Sequence, residues 1–428
     1  MSTPIPTHRQ RTKGMQRIDL AYAELASSEV VRDINRDVVL ELIRTRQPIS
    51  RADLSRSTGL QPSTISSIAE QLIGERWVIE GPAAIRPRGR RPTLLSINPS
   101  MVIVVADVRP DQAIVGVVDL NGRFLQREAL PLAADPERGV RNLITCIERL
   151  MPKHPDKSFE GLGIILPGRV DPSTEQLVLA PNLPWARYDI KKAIQSAIKL
   201  QVEMDNDANA CLLAELWFGR MEGVRNAVLV TITEGVGAAI LANGQLLTGR
   251  SGLAGEFGHL CLDPNGPICG CGRKGCWEVF ASTRSAINHF LELRKQSGRP
   301  NSPVPSSFEL INMAENGDPD AIAALNRQAL YMGQGLRIIV TALSPEVVLL
   351  NGGLTSAWDR FGPIVEAELA DSMLSGTPPR IIVTSDVELA RLRGAAALVL
   401  QRHAGYSKSN ASDGKPIRRP RNPKKTAA

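Results

Sequence analysis

The segment EFGHLCLDPNGPICGCGRKGCWE, residues 256–278, separates His259 from Cys269 by nine residues and crowds Cys269, Cys271 and Cys276 into eight residues. One imidazole and three thiols at this spacing suit a metal better than disulfide bridges. Glycines at 270, 272 and 275 let the chain wrap an ion, and zinc is the natural occupant. A complete His and Cys set leaves no open coordination position, so the expected site is structural Zn2+ held by His259, Cys269, Cys271 and Cys276. The other reading is three reduced structural cysteines beside a chance histidine. Six cysteines in 428 residues do not make a disulfide scaffold, and Cys261 is expected simply to be packed.

Outward from this segment, strand and helix patterns alternate. Met101–Asp107 and Ala113–Leu120 read as strands, with Asn121-Gly122 as a hairpin turn. Strands are expected at 162–166, 202–204, 228–233, 238–241, 347–350 and 381–384. Helices are expected at 141–151, 189–199, 208–218, 283–295, 319–342 and 363–373. This alternation predicts α/β layers over 98–405, long enough for two lobes. Residues 406–428 have no apolar periodicity and read as a disordered basic tail.

Residues 31–97, after an N-terminal arm over 1–30, read differently. Ile34, Val38, Val39, Leu42 and Ile43 recur at helical spacing. Ser50 and Asp53 have the form of a capping box opening a short helix, Thr58-Gly59-Leu60 supplies a turn, and Pro62 opens a third helix that ends at Gly74. Helix, short helix, glycine turn and helix is the layout of a helix-turn-helix, whose last helix enters the DNA major groove. Ser63, Thr64, Ser66 and Ser67 near its N-terminus are short donors suited to DNA. Two strands, at 77–79 and 93–97, flank a loop carrying Arg88, Arg90 and Arg91, the form of a wing. The alternative is a helical module that binds protein, with the arginines as a solvated turn.

The net charge of +7 divides into +5 on residues 1–95, +6 on 406–428 and −4 on the remainder. Basic ends on a mildly acidic body point to a polyanion met by the ends, although solubility also accounts for them. At 43% hydrophobic and 22% charged residues, the balance is that of a soluble globular chain. A membrane span or secretory leader is not expected, and the expected compartment is the cytoplasm.

Glu256-Phe257-Gly258-His259, CGCGRKGC at 269–276 and Trp277-Glu278 resemble the signature of the ROK family of bacterial sugar kinases and sugar-responsive repressors. The resemblance extends in order through Pro167-Gly168-Arg169-Val170, Pro181-Asn182-Leu183-Pro184-Trp185, Asp205-Asn206-Asp207-Ala208-Asn209 and Asn351-Gly352-Gly353-Leu354. With the winged helix included, residues 31–400 resemble the repressor branch. The resemblance implies a two-lobed actin/hexokinase-like body with its ligand in the cleft. It carries the sugar contacts onto Asn182, Asn206, Asp207, Glu256, His259 and Glu278. Carboxylates and amides suit sugar hydroxyls, which both donate and accept. Asp205, Asn206 and Asp207 also directly precede a helix, where Asx residues are common as caps.

In kinases of the family the residue matching Asp207 is the general base. The family's first phosphate turn, Asp-x-Gly-Gly-Thr, here reads Asp107-Val108-Arg109-Pro110-Asp111, without either glycine and with one amide donor lost to proline. The second, Gly-Thr-Gly-x-Gly, reads Thr233-Glu234-Gly235-Val236-Gly237. Asp111 and Glu234 each bring negative charge toward a triphosphate, with Arg109 offsetting part of it. The expected function is therefore a non-enzymatic repressor that binds operator DNA as a homodimer or homotetramer and is released by a sugar or sugar phosphate. A sugar kinase with a DNA-binding head, and a regulator controlled by a protein partner, are the alternatives.

Overall fold

The computed structural model describes residues 28–81, 93–180, 183–185, 188–219, 221, 223–299, 303–370, 378–384 and 386–403. Asn182, the loop arginines Arg88, Arg90 and Arg91, the tail over 406–428 and all but the end of the arm over 1–30 lie outside these residues.

The N-terminal unit runs α1 (Ser28–Arg46), β1 (Ile49–Ser50), α2 (Arg51–Thr58), α3 (Pro62–Gly74), β2 (Val78–Gly81) and β3 (Leu94–Ile97). Ser50 caps α2, its hydroxyl oxygen accepting the Asp53 N–H at 3.2 Å and its proton going to Asp53 Oδ2 at 2.5 Å. Gly59 ends α2 at φ +73°, a left-handed position that favours glycine. The apolar face of α3, Ile65, Ile68 and Leu72, is buried with Val39 and Ile43 of α1, Leu54 of α2 and Leu95 of β3. The strands pair in the order β1-β3-β2, all antiparallel. Both strands expected to flank a wing are thus present and paired.

The first lobe of the body contains β4 (Met101–Val108), β5 (Gln112–Asp119), β6 (Phe124–Pro131), α4 (Pro136–Leu150), β7 (Ser158–Leu166), β8 (Arg169–Val170), β9 (Leu177–Leu179), α5 (Ile190–Ala197), β10 (Val202–Asn206) and α6 (Asp207–Phe218). Its sheet has the order β10-β7-β4-β5-β6. All eight residues of the central strand β4 are buried, because both sheet faces are covered. Val104 and Ala106 face α4 and α5, whereas Ile103 and Val105 face α6 and the C-terminal helix.

The second lobe contains β11 (Ala227–Ile232), β12 (Val236–Ala242), β13 (Gln245–Leu246), α7 (Glu278–Ala281), α8 (Thr283–Gln296), α9 (Ser307–Glu315), α10 (Pro319–Leu343), β14 (Val347–Gly352), α11 (Trp358–Ala370) and β15 (Arg380–Thr384). Helix α12 (Val387–His403) then returns to the first lobe. The second sheet has the order β13-β12-β11-β14-β15. Helix α6 is sandwiched: Ala210 and Leu213 join the core of the first sheet, while Ala208, Cys211 and Leu212 join that of the second. Helix α12 packs so closely that a Cβ on Gly163 would lie 1.7 Å from the Ala395 carbonyl, and one on Gly394 2.5 Å from that of Ala210.

The fold adds strand β6 and helices α9 and α12, along with the short β1, β8, β9, β13 and α7, to the elements that periodicity predicts. Helix α11 begins at Trp358 with Pro363 inside it, five residues before the expected start. Among the described residues no helix is long and apolar enough to cross a membrane.

Candidate functional site

Three parallel strands of the first lobe, β4, β7 and β10, end on the same side of the sheet. Residues just past those ends, Arg109, Pro167–Arg169 and Asp207, line one wall of a cavity of about 400 Å³. The β11–β12 hairpin, Glu256, His259 and Glu278 line the other. This is the crevice at strand carboxyl ends where open α/β sheets hold ligands, with the volume of a small-molecule site. Of the expected sugar contacts, Asn206, Asp207, Glu256, His259 and Glu278 all reach this cavity.

Asn206 caps α6, its side-chain oxygen accepting the Asn209 N–H at 2.7 Å, so the capping reading of this residue also holds. Its amide nitrogen remains as a donor. Behind it, half-buried Asp205 accepts from Asn206 N–H at 2.7 Å and from Asn209 Nδ2 at 3.1 Å. Burial pushes the Asp205 carboxyl up to about 6, against those bonds and reinforced by the charge of Asp207. Burial also raises Glu256, opposed by His259 and Arg169. Glu278 Oε2 accepts the N–H of Val236 at 3.1 Å, so one amide of the second phosphate-type loop is already engaged.

The residue that organises the cleft is Arg391, on the unexpected helix α12. Its Nε donates to both oxygens of Asp107 at 3.0 Å, its Nη2 to Asp107 Oδ1 at 2.7 Å, and its Nη1 to Asp207 Oδ2 at 2.6 Å. Asp107 is fully buried and also receives Arg109, Nε to Oδ2 at 2.8 Å. Burial alone would lower the Arg391 guanidinium, but the charges of Asp107 and Asp207 override it and the net shift is upward. The carboxylate expected to serve as a base in a kinase is thus held in an ion pair. Sequence reading missed Arg391 because α12 carries Ala395, Ala396, Ala397 and other buried residues on most of its surface, leaving no amphipathic stripe to mark it.

Beside the cleft, His259, Cys269, Cys271 and Cys276 bring one donor atom each to within 4.8 Å of one another. Cys269 Sγ lies 3.6 Å from His259 Nδ1, and Cys271 Sγ 3.6 Å from Cys276 Sγ. A tetrahedral zinc–thiolate site has sulfur–sulfur edges of about 3.8 Å, so the donor set fits a metal ion. The other imidazole nitrogen, Nε2, faces Glu256 Oε2 at 3.7 Å, the arrangement in which a carboxylate orients a ligating histidine. Gly275 is required here: at φ +67° its Cβ would meet the Asp263 carbonyl at 1.5 Å. The cluster runs straight into fully buried Trp277, whose Nε1 donates to the Tyr331 carbonyl at 2.7 Å, and then into Glu278.

A family model described as the ROK family matches residues 106–402. The chain belongs to the ROK family. It is 30% identical over 383 residues to the xylose repressor of Bacillus subtilis, covering 88% of this chain and 97% of that one. It is 25% identical over 384 residues to the DNA-binding transcriptional dual regulator NagC of Escherichia coli, covering 88% and 95% respectively. Among solved structures, a ROK family transcriptional regulator described as a homolog of E. coli MLC superposes with a TM-score of 0.77 at 27% identity, covering 88% of this chain and 97% of the other. A ROK family glucokinase from Streptomyces griseus, in complex with glucose and AMPPNP, superposes with a TM-score of 0.64 at 25% identity. The glucokinase match covers 70% of this chain and 99% of the enzyme.

Ahead of the ROK body, Ser63 and Ser67 are exposed and Thr64 and Ser66 half-buried on α3. Ser66 donates its hydroxyl proton back to the Pro62 carbonyl at 2.9 Å. Ser63, Thr64 and Ser67 share a shallow groove with Arg32 and Asn35 of α1, two residues whose position beside α3 no periodicity revealed. The head is seated on the ROK body: Arg44 of α1 stacks over Trp217 and Phe218 at 5.8 and 6.0 Å. Gln47 Nε2 donates to Asn121 Oδ1 in the β5–β6 turn at 2.7 Å.

Proposed function

We propose that this ROK protein is a transcriptional repressor that binds operator DNA through its N-terminal helix-turn-helix and is released when a sugar or sugar derivative enters the interlobe cleft. The observation that carries this reading is α6, which begins at Asn206 and Asp207 in the cleft and ends at Trp217 and Phe218 under Arg44 of the head. One rigid element therefore touches both the ligand site and the DNA-binding unit. Helix α12 runs beside it, with Arg391 on Asp207, Arg393 Nε donating to the Gly122 carbonyl at 3.1 Å, and Gln401 accepting from Trp217 Nε1 at 3.3 Å. A ligand hydroxyl that donates to Asp207 competes with Arg391 for that carboxylate and biases this helix pair. Release of DNA follows only if the ligand favours one arrangement over the other.

The relatives named as repressors support the DNA-binding role, and the glucokinase bound to glucose supports a sugar in the same cleft. The sugar contacts are Asn182, Asn206, Asp207, Glu256, His259 and Glu278, with Asp207 as a hydroxyl acceptor. Phosphoryl transfer is disfavoured because Asp207 is paired with Arg391 and the first phosphate-type turn holds Pro110 and Asp111. Zn2+ at His259, Cys269, Cys271 and Cys276 is structural, because four protein donors fill a tetrahedral shell. It would fix the segment that presents Glu256 and Glu278. Ser63, Thr64, Ser66, Ser67, Arg88, Arg90 and Arg91 supply the DNA contacts, and pairing of two chains would set two heads on half-sites of a near-palindromic operator.

The test is operator binding by fluorescence anisotropy at fixed salt, on DNA from upstream of the gene, against a panel of sugars and sugar phosphates with and without ATP. Loss of binding with one of them and no ATP turnover supports a sensor. Unchanged binding with ATP consumed by one sugar would make the body a kinase.

A further inference from the structure

Among the described residues lining the cleft, one arginine has no carboxylate in ion-pair contact; the charges of Glu256 and Asp171 act on it only from beyond that distance. Of those lining it, Arg391 is bound to Asp107 and Asp207, Arg109 to Asp107, and Arg284 lies 3.5 Å from Glu234. His259 belongs to the metal cluster and faces Glu256. Arg169 differs: among the described residues no carboxylate oxygen lies within 4.0 Å of it. Its hydrogen bond is a long one, Nη1 to the Ser251 carbonyl at 3.3 Å, and its Nε is buried without a partner.

Its placement is fixed by the backbone. Arg169 opens β8 and pairs with Leu179 of β9. Gly168 before it has φ +94°, and a Cβ there would meet the Leu179 carbonyl at 2.1 Å. The chain is thus pressed against β9 just where it delivers Arg169 to the cleft wall that also holds Asp207. A half-buried guanidinium short of partners is costly in the empty protein, and its planar fork matches a carboxylate or a phosphate with two parallel bonds.

We infer that the ligand of the cleft is an anionic sugar, carrying a carboxylate or a phosphate received by Arg169. This rests on the sugar-sensor reading above and narrows it from sugars in general to acidic ones. A neutral sugar leaves Arg169 with hydroxyl partners only, which lack the charge-assisted bond.

The experiment is calorimetric titration of the full metal-loaded chain with matched ligands: glucose, glucuronate and glucose 6-phosphate, and N-acetylglucosamine with its 6-phosphate. Operator anisotropy is read in parallel. The expected result is that one acidic member binds at least about tenfold tighter than its neutral counterpart, the ratio that one charge-assisted contact supplies. Carboxylate and phosphate are distinguished by which member wins. Arg169→Gln should collapse that ratio to below about threefold, and Arg169→Lys, which keeps the charge but not the fork, should leave it intermediate. Metal content and melting temperature check that both variants fold. A neutral sugar that binds as tightly as its acidic partner and releases DNA overturns this inference while leaving the sensor reading in place. A preference for the acidic ligand that survives Arg169→Gln also overturns it. If nothing in the panel binds or shifts DNA affinity, the sensor reading falls and this inference with it.

Discussion

Replacing Arg391 with methionine, which keeps much of the stem volume, removes the cation between Asp107 and Asp207. The bonds removed are those to Asp107 at 2.7 to 3.0 Å and the one to Asp207 at 2.6 Å. Each charge-assisted bond contributes about 1.5–3 kcal/mol, but dehydration of the guanidinium offsets much of that. What stays behind decides the cost, because Asp107 is fully buried. Stranding one partner of a buried pair costs about 3–5 kcal/mol. Arg109 remains within 2.8 Å of Asp107, which places the expected loss near the lower end, about 3 kcal/mol. The assay is urea unfolding of the wild type, Arg391→Met, Asp107→Asn and the double variant. Removing both charges leaves no stranded carboxylate at Asp107, so the double variant should be more stable than the two single losses added together, by at least about 1.5 kcal/mol. A loss below about 1 kcal/mol for Arg391→Met, or strict additivity, would refute the assignment of Arg391 as the counter-ion of the cleft.

Other outcomes follow from the same geometry. Cys276→Ser, or removal of metal by a chelator, should lower the melting temperature and abolish cleft binding, with bound zinc falling from about one ion per chain, the stoichiometry of one tetrahedral site, toward none by elemental analysis. Asp205 has a folded value of about 6 against an ordinary 3.8, so its protonated form stabilises the fold below pH 4 and that contribution is lost as pH rises through 6. Asp205→Asn should therefore gain stability over the wild type at about pH 7.5, and the gain should vanish near pH 4 in denaturation curves at the two pH values. Arg44→Ala should weaken the effect of the ligand on operator affinity more than it weakens cleft affinity, because it unstacks the head from Trp217 and Phe218. Equal ligand response in anisotropy titrations would remove α6 from the coupling. Mutating Arg88, Arg90 or Arg91 to alanine should reduce the slope of log affinity against log salt by about one for each phosphate no longer neutralised. An unchanged slope would rule out the wing assignment.

Much was legible along the chain because it depends on short range. The cap at Ser50, the helix start at Pro62, the glycine turn at Gly59, the stripe Ile65, Ile68 and Leu72, and the His259 and cysteine spacing are local patterns, and the helix-turn-helix layout and metal cluster follow from them. The motif order also named Asn206, Asp207, Glu256 and Glu278, which line one cavity: the first two stand where β10 passes into α6, and the other two bracket the cysteine segment. Tertiary structure alone decided the rest. Edge strand β6 carries Leu125 and Ala129 on its exposed face and Gln126 and Glu128 on its half-buried one, and α12 is buried on most sides, so neither shows a clear hydropathy period. The pairing of Arg391 with Asp107 spans 284 residues, and no local pattern can specify which of many arginines meets a buried carboxylate. The lack of an ion-pair contact at Arg169 is likewise a property of its surroundings: a sequence shows that an arginine is present, but only packing shows that no described carboxylate oxygen comes within 4.0 Å of it.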